Sequence, residues 1–225
     1  MRIIFGLLML SLAACALPLG QGDYGEDGFH ARTPALVAAR AGAEAQTRAQ
    51  LAAMTPAGTP IGASRYDACF AYQRNWKVRD PYRIECHLQL TRAVAVANVS
   101  EGIRETARLF AAAGCPNPAA FEDSLGYYLE TNGAGSNARY RRDTDLPQVL
   151  FDCGDDLRAQ AQFVNPGASM ASQALTNIDA MVGARRIALV EQQGYDAGEI
   201  AALRATSAPL VVLVAIDRRY HAERW

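Results

Sequence analysis

The residue types that most often carry catalysis are few in this chain, and their spacing matches no catalytic motif. The chain has three histidines and a single lysine, Lys77. No serine stands in a G-x-S-x-G motif, and Arg74 occupies the position where a Ser-x-x-Lys pair needs serine. We therefore expect no catalytic residue. An extracytoplasmic hydrolase that uses His87 or His221 in a triad is a less favoured alternative.

Two loops carry charged residues in groups. Asp152, Asp155 and Asp156 are clustered, but a calcium site needs about six to eight oxygen ligands and the EF-hand spacing is absent, so we interpret them as a turn. The glycine-containing loop 132–142 lacks the Gly-Lys-Ser/Thr of a phosphate loop. Its arginines are candidates for binding an anionic wall polymer or lipid head group, and a solvated loop is the alternative. They are Arg139, Arg141 and Arg142.

The composition is typical of a globular chain without a strong charge bias. Of 225 residues, 50% are hydrophobic and 20% are charged, and the formal net charge is -1. The high apolar fraction argues against disorder. The absence of a net positive charge argues against a nucleic-acid partner, because proteins that bind nucleic acids are usually basic. We also expect no cofactor and no metal.

The first fifteen residues have the pattern of an export signal. Arg2 precedes an apolar run over 3–14, which is shorter than the about 20 residues of a transmembrane helix. The run ends in Leu12-Ala13-Ala14-Cys15, which resembles the lipobox of bacterial lipoproteins. That resemblance implies a signal peptide, lipid on Cys15, and anchoring on the extracytoplasmic side of an inner or outer membrane. The alternatives are an ordinary signal peptide with an incidental cysteine, or a buried N-terminal helix.

Beyond this motif, the chain has a diffuse similarity to uncharacterised lipoproteins of GC-rich bacteria, notably actinobacteria, and that similarity implies no activity. The four cysteines after Cys15 are an even number, which indicates two disulfides in an exported domain. No C-x-x-C pair suggests zinc or redox chemistry. Of the three possible connectivities we favour Cys69–Cys86 and Cys115–Cys153, because each closes a local loop.

The remaining segments divide into a tether and alternating helices and strands. Residues 15–32 are rich in glycine and predict a flexible tether, after which Thr33 and Pro34 begin a helix to about residue 54. Period-2 patterns predict strands, and period-3.6 patterns predict helices. The strands are expected at 66–72, 83–96, 125–131 (or a helix), 148–153, 157–164 and 210–216. One helix is expected at 100–113, with Ser100 as the cap and Gly114 as its stop. The others are expected at 168–193 and from Asp196, which with Glu199 resembles a capping box, to Arg204. Residues 55–64 predict a loop.

This order indicates an α+β fold: a mostly antiparallel sheet with helices packed on one face, two disulfides, and a preceding N-terminal helix. We divide the chain into a signal peptide (1–14), a lipidated tether (15–32), a helix and loop (33–64) and a single α+β domain (65–225). The expected function is that of a membrane-anchored envelope lipoprotein without enzymatic activity. The alternative is a binding module for anionic cell-wall or lipid components that uses the 132–142 loop.

Overall fold

Six strands hydrogen-bond into one sheet in the computed structural model of the protein, which describes residues 31–71, 81–115, 148–154, 156–166 and 186–224. The strands are β1 (Thr59–Ala71), β2 (Tyr82–Val96), β3 (Gln148–Asp152), β4 (Leu157–Val164), β5 (Arg186–Gln193) and β6 (Leu210–Arg224). The helices in these ranges are α1 (Pro34–Met54), α2 (Val99–Ala112) and α3 (Ala197–Ala205). The strand order is β3-β4-β6-β2-β1-β5, and every neighbouring pair is antiparallel.

The two central strands, β2 and β6, are paired along nearly their whole length. The pairing runs from Tyr82 opposite Arg224 to Val96 opposite Leu210. Alternate residues of a strand point to opposite faces of the sheet. At one end of this pair the residues of both faces are buried, so the sheet must be covered on both sides there. These residues are Ala93, Val94, Ala95, Val96, Leu210, Val211, Val212, Leu213 and Val214.

Helices cover the two faces. Leu51 and Met54 of α1 join Ile103 and Phe110 of α2 in one core with alternate residues of the central strands. On the opposite face, Leu203 of α3 packs on the intervening residues. The predicted α+β class, with an antiparallel sheet, two disulfides and a preceding helix, is confirmed. The expectation that the helices pack on one face is wrong for the short α3, which lies across the sheet from the two longer helices because both faces of the central strands are apolar there. None of the helices described here has the length and apolar character required to cross a membrane.

The segment 33–64 packs against the same sheet. Helix α1 begins after Thr33 as predicted, but strand β1 begins at Thr59, so the prediction of a loop is wrong for residues 59–64. Within the described ranges these residues pair only with β2, because the pairing of β1 with β5 begins at Arg65. A proline is tolerated at such an edge. The register shift between Pro60 and Gly62 accommodates it.

Two further predictions are corrected by tertiary pairing. The helix predicted over 168–193 is wrong for Arg186–Gln193, which forms β5 against β1; the rest of that segment lies outside the described residues, as does 125–131. The central strand predicted to end at residue 216 continues to Arg224. Hydrogen bonds to neighbouring strands outweigh weak local preferences in both places.

Helix α2 is capped by Asn98 and not by Ser100. The Asn98 side chain accepts a hydrogen bond from the Glu101 backbone N–H at 3.0 Å. Ser100 is buried, and its hydroxyl has no hydrogen-bond partner among the residues that the structure describes. At the other end of the helix Gly114 has φ +83°, and the Cys115 N–H donates to the Phe110 carbonyl, which is the glycine-dependent ending predicted for this helix.

We expect Asn98→Ala to lower the free energy of unfolding by about 1 kcal/mol, because an N-cap bond to the helix end is lost. Ser100→Ala is the matched control. It should leave stability almost unchanged, since removing an unpaired buried hydroxyl costs little. Urea unfolding followed by circular dichroism measures both. A larger loss for Ser100→Ala than for Asn98→Ala would contradict this assignment of the cap.

Candidate functional site

The four cysteines after Cys15 form two disulfides with the predicted pairing. Cys69 and Cys86 stand opposite one another on β1 and β2, with their Cα atoms 3.9 Å apart. Cys115 follows the end of α2 and is joined to Cys153, which follows β3, with Cα atoms 4.5 Å apart. The first bridge therefore staples the β1–β2 pair, and the second ties the end of α2 to the β3–β4 hairpin.

The most heavily charged place in the described structure lies between α1 and the sheet. We call it the α1 ionic cluster; it consists of Arg40, Glu44, Arg65, Asp67, Glu191 and Tyr220. At its centre the Asp67 carboxylate is completely buried. It contacts Arg40 Nε at 2.7 Å and accepts a hydrogen bond from the Tyr220 hydroxyl at 2.8 Å. Arg40 also donates to the Ala31 carbonyl at 3.0 Å.

Arg65 links the outer part of the α1 ionic cluster. Its guanidinium contacts Glu44 of α1 at 2.7 Å and Glu191 of β5 at 2.9 Å, and it lies 3.6 Å from Asp67. Arg40 additionally stacks over the Tyr220 ring, 5.5 Å from its centroid. The cluster therefore connects α1 with three strands.

The pKa values of Asp67 on β1 and Glu44 on α1 are shifted in opposite directions. Burial raises the pKa of Asp67, while the hydrogen bond from Tyr220 and the charges of Arg40 and Arg65 partly oppose that rise. Hydrogen bonds from Arg65 and Arg48 lower the pKa of Glu44. Burial, followed by the nearby Asp67 charge, raises the pKa of Tyr220. The ion pairs of this cluster join α1 to the sheet, so its arrangement positions α1.

A histidine–carboxylate pair lies on the face of the sheet opposite to α1, at the polar end of the central strands. His87 Nδ1 lies 3.1 Å from Asp217 Oδ1, and the His87 ring meets the Phe70 ring edge-on. Arg219 forms ion pairs with Glu85 at 2.7 Å and Asp156 at 2.6 Å. His87 is one of the two histidines considered for the alternative catalytic triad. Among the described residues no hydrogen bond joins it to a serine or cysteine, so the geometry does not assemble a triad there.

Several predicted residues lie outside the described part of the chain. They are Cys15, the three arginines Arg139, Arg141 and Arg142, and Asp155 of the aspartate group. Asp156 is engaged with Arg219, in agreement with a turn. No group of three potential metal ligands occurs in the ranges that the structure describes.

The α1 ionic cluster was not predicted from the sequence. Two signals were available: Arg40 and Glu44 are four residues apart and so share a helix face, and Asp67 stands within a strand directly before the buried Ala68, Cys69 and Phe70. A carboxylate in such a strand requires partners.

Comparisons of this chain with protein-family models, with curated proteins and with solved structures found no match. The class defined by the structure is a disulfide-stapled α+β domain with a six-stranded antiparallel sheet.

We expect Arg40→Met to lower the free energy of unfolding by about 3 kcal/mol, because removing one partner leaves a buried charge on Asp67 poorly compensated. Arg48→Met is the matched control: Arg48 lies on the same helix, its side chain is 64% exposed, and it pairs with Glu44. That change should cost less than about 1 kcal/mol. Chemical unfolding of both variants tests the difference, and equal losses would contradict a specific role of the buried pair.

The lowered pKa of Glu44 predicts a pH dependence. Its native pKa is below the unfolded value, so its stabilisation is present above the unfolded pKa and is lost as pH falls through the native one. Glu44→Gln should therefore reduce stability at neutral pH, with a difference from wild type that shrinks on acidification. Glu105→Gln, which removes an i,i+3 pair on α2, is the control and should have a small effect. Urea midpoints between pH 3 and 7 provide the measurement; a pH-independent effect of Glu44→Gln would contradict the prediction.

Proposed function

We propose that this chain is a lipid-anchored protein of the bacterial cell envelope, whose disulfide-stapled domain faces the extracytoplasmic side and acts without catalysis. The observation that carries the proposal is the use of the cysteines. The chain has five, and two disulfides take four of them. The one left over is Cys15, in the Leu12-Ala13-Ala14-Cys15 sequence that resembles a lipobox.

The disulfides support an oxidising compartment, where such bonds form and persist. In that environment an unpaired cysteine is a reactive thiol or a partner in an intermolecular bond. Lipid attached through a thioether removes the reactivity of Cys15. Export, two internal disulfides and modification of the fifth cysteine therefore form one consistent chemical account.

The anchor follows from simple energetics. Each buried methylene contributes about 0.8 kcal/mol, and a single acyl chain binds only marginally and reversibly. The diacylglyceryl group implied by the lipobox supplies two chains, which hold a protein durably. Cys15 would then be the lipid-bearing residue, and the part of the predicted tether that precedes the buried Ala31 would separate it from the sheet.

The start of the described chain is well suited to receive such a tether. Ala31 is buried, and its carbonyl accepts a hydrogen bond from Arg40 at 3.0 Å. Arg40 is in turn paired with Asp67 on β1. The point at which the tether meets the domain is thus fixed to the sheet through α1, and we propose that this contact sets how the domain is held above the membrane.

In cells fed labelled palmitate, we expect wild type to incorporate label and Cys15→Ala to incorporate none. Cys15→Ser should move the folded protein from the membrane fraction to the soluble fraction, because the proposed anchor is lost. Equal labelling of wild type and Cys15→Ala would contradict lipidation. A disulfide-linked dimer on a non-reducing gel, absent in Cys15→Ser, would instead identify an intermolecular bond and also contradict it.

A further inference from the structure

An arginine occupies an unusual place on a central strand. Arg92 of β2 stands between Leu90 and Val94 on the face that α1 and α2 cover, and its cross-strand neighbour on β6 is Val214. Leu90, Val94 and Val214 are all buried in the main core, whereas Arg92 is exposed. In the part of the chain that the structure describes, its guanidinium makes no hydrogen bond and no ion pair. A cation with up to five donors thus stands in line with buried apolar residues of β2.

Arg92 is exposed because a groove opens beside it. Helix α1 ends at Met54, and the following turn leaves a space of about 570 Å³ above the ends of β1 and β2. That volume lies within the range of small-molecule sites, roughly 300–1,000 Å³. The residues around it are mostly small or apolar, and Arg92 and Glu199 are its two charged members. The lining comprises Ala52, Thr55, Pro56, Ala57, Gly58, Pro60, Gly62, Ala63, Arg92, Val94 and Glu199.

Two glycines permit close contacts in the lining of this groove. A Cβ atom on Gly58 would collide with the Ala95 carbonyl, so glycine is needed there for the turn after α1 to lie this close to the end of β2. A Cβ atom on Gly62 would lie 2.6 Å from the Glu199 carboxyl carbon. The position of Glu199 therefore depends on the absence of a side chain at residue 62.

Glu199 is held rigidly at the groove. Its Oε1 accepts a hydrogen bond from the Ala63 N–H at 3.1 Å, and its Oε2 accepts one from the Asp196 N–H at 2.9 Å within the capping box of α3. Each carboxylate oxygen has a second lone pair and can accept another donor. The groove thus presents, on small and mainly apolar walls, a fixed carboxylate and a guanidinium that has no partner among the described residues.

We propose that this groove binds a small zwitterion, with the carboxylate of the ligand on Arg92 and its ammonium group toward Glu199. The two opposite charges decide the ligand class, because a simple anion is repelled by Glu199 and a simple cation by Arg92. Free α-amino acids and dipeptides have this chemistry, and the small walls fit short side chains such as that of alanine. Arginine binds carboxylates through two parallel hydrogen bonds. This inference is independent of the lipid anchor.

Isothermal titration of the full chain in neutral detergent tests the site, with L-alanyl-L-alanine and L-alanine as probes for its two sources. We expect at least one of them to bind. N-acetylalanine, which lacks the ammonium group, and alaninamide, which lacks the carboxylate, should bind the protein about tenfold more weakly or less. Absence of measurable binding of both zwitterions at tens of millimolar would overturn the proposal, as would equal affinity for N-acetylalanine.

Substitutions in the groove test whether the ligand binds at this place. Arg92→Gln should weaken it about tenfold or more, since a hydrogen bond to a charged group is lost. Ala57→Leu, which fills the groove without changing charge, should also weaken it. Arg104→Gln is the matched control, because Arg104 is an exposed arginine on α2 outside this groove; it should bind as wild type does. Unchanged affinity in both Arg92→Gln and Ala57→Leu would place the ligand elsewhere and overturn the assignment.

Discussion

The pairing of β2 with β6 is the constraint on which the rest of the structure depends. These are the two longest strands, and they form the centre of the sheet. At one end, buried apolar side chains project from both faces, so water must be excluded on both sides. The helices α1 and α2 cover one face there, and α3 covers the other. At the other end, the face across the sheet from α1 carries paired polar groups such as His87 and Asp217, and so it does not need an apolar cover.

The attachment of α1 to the sheet combines two kinds of interaction. Leu51 and Met54 near its C-terminus enter the main core, whereas Arg40 and Glu44 near its middle meet the charged residues of β1. Burying Asp67 costs desolvation energy, and the contacts from Arg40, Arg65 and Tyr220 offset that cost. An ionic contact of this kind is directional. It selects one orientation of α1, and hence one exit point for the chain that precedes it.

In the two proposals, the two ends of α1 have different roles. Its N-terminal end, where Ala31 is held by Arg40, receives the proposed membrane tether. Its C-terminal end leaves Arg92 uncovered and forms one wall of the groove. The proposed groove lies where the end of α1 and the start of α3 approach the same part of β1 and β2, and its two charged members are Arg92 and Glu199. The histidine and most other charged residues described are engaged with one another elsewhere on the sheet.

The sequence by itself determined the elements whose patterns are local. The alternation at 83–96, the capping box at Asp196 and Glu199, the helix ending at Gly114 and the helix start at Thr33 each depend on residues within one or two turns or strands, and all four agree with the structure. The disulfide pairing also followed from chain proximity, because short loops close most easily. Only the tertiary structure decided that Arg186–Gln193 is a strand, that β1 begins at Thr59, and that Arg40, Asp67 and Tyr220 meet. Each of these depends on partners between 27 and 180 positions away along the chain, and the hydrogen bonds and charges of such partners outweigh local preferences of a few tenths of a kcal/mol, roughly.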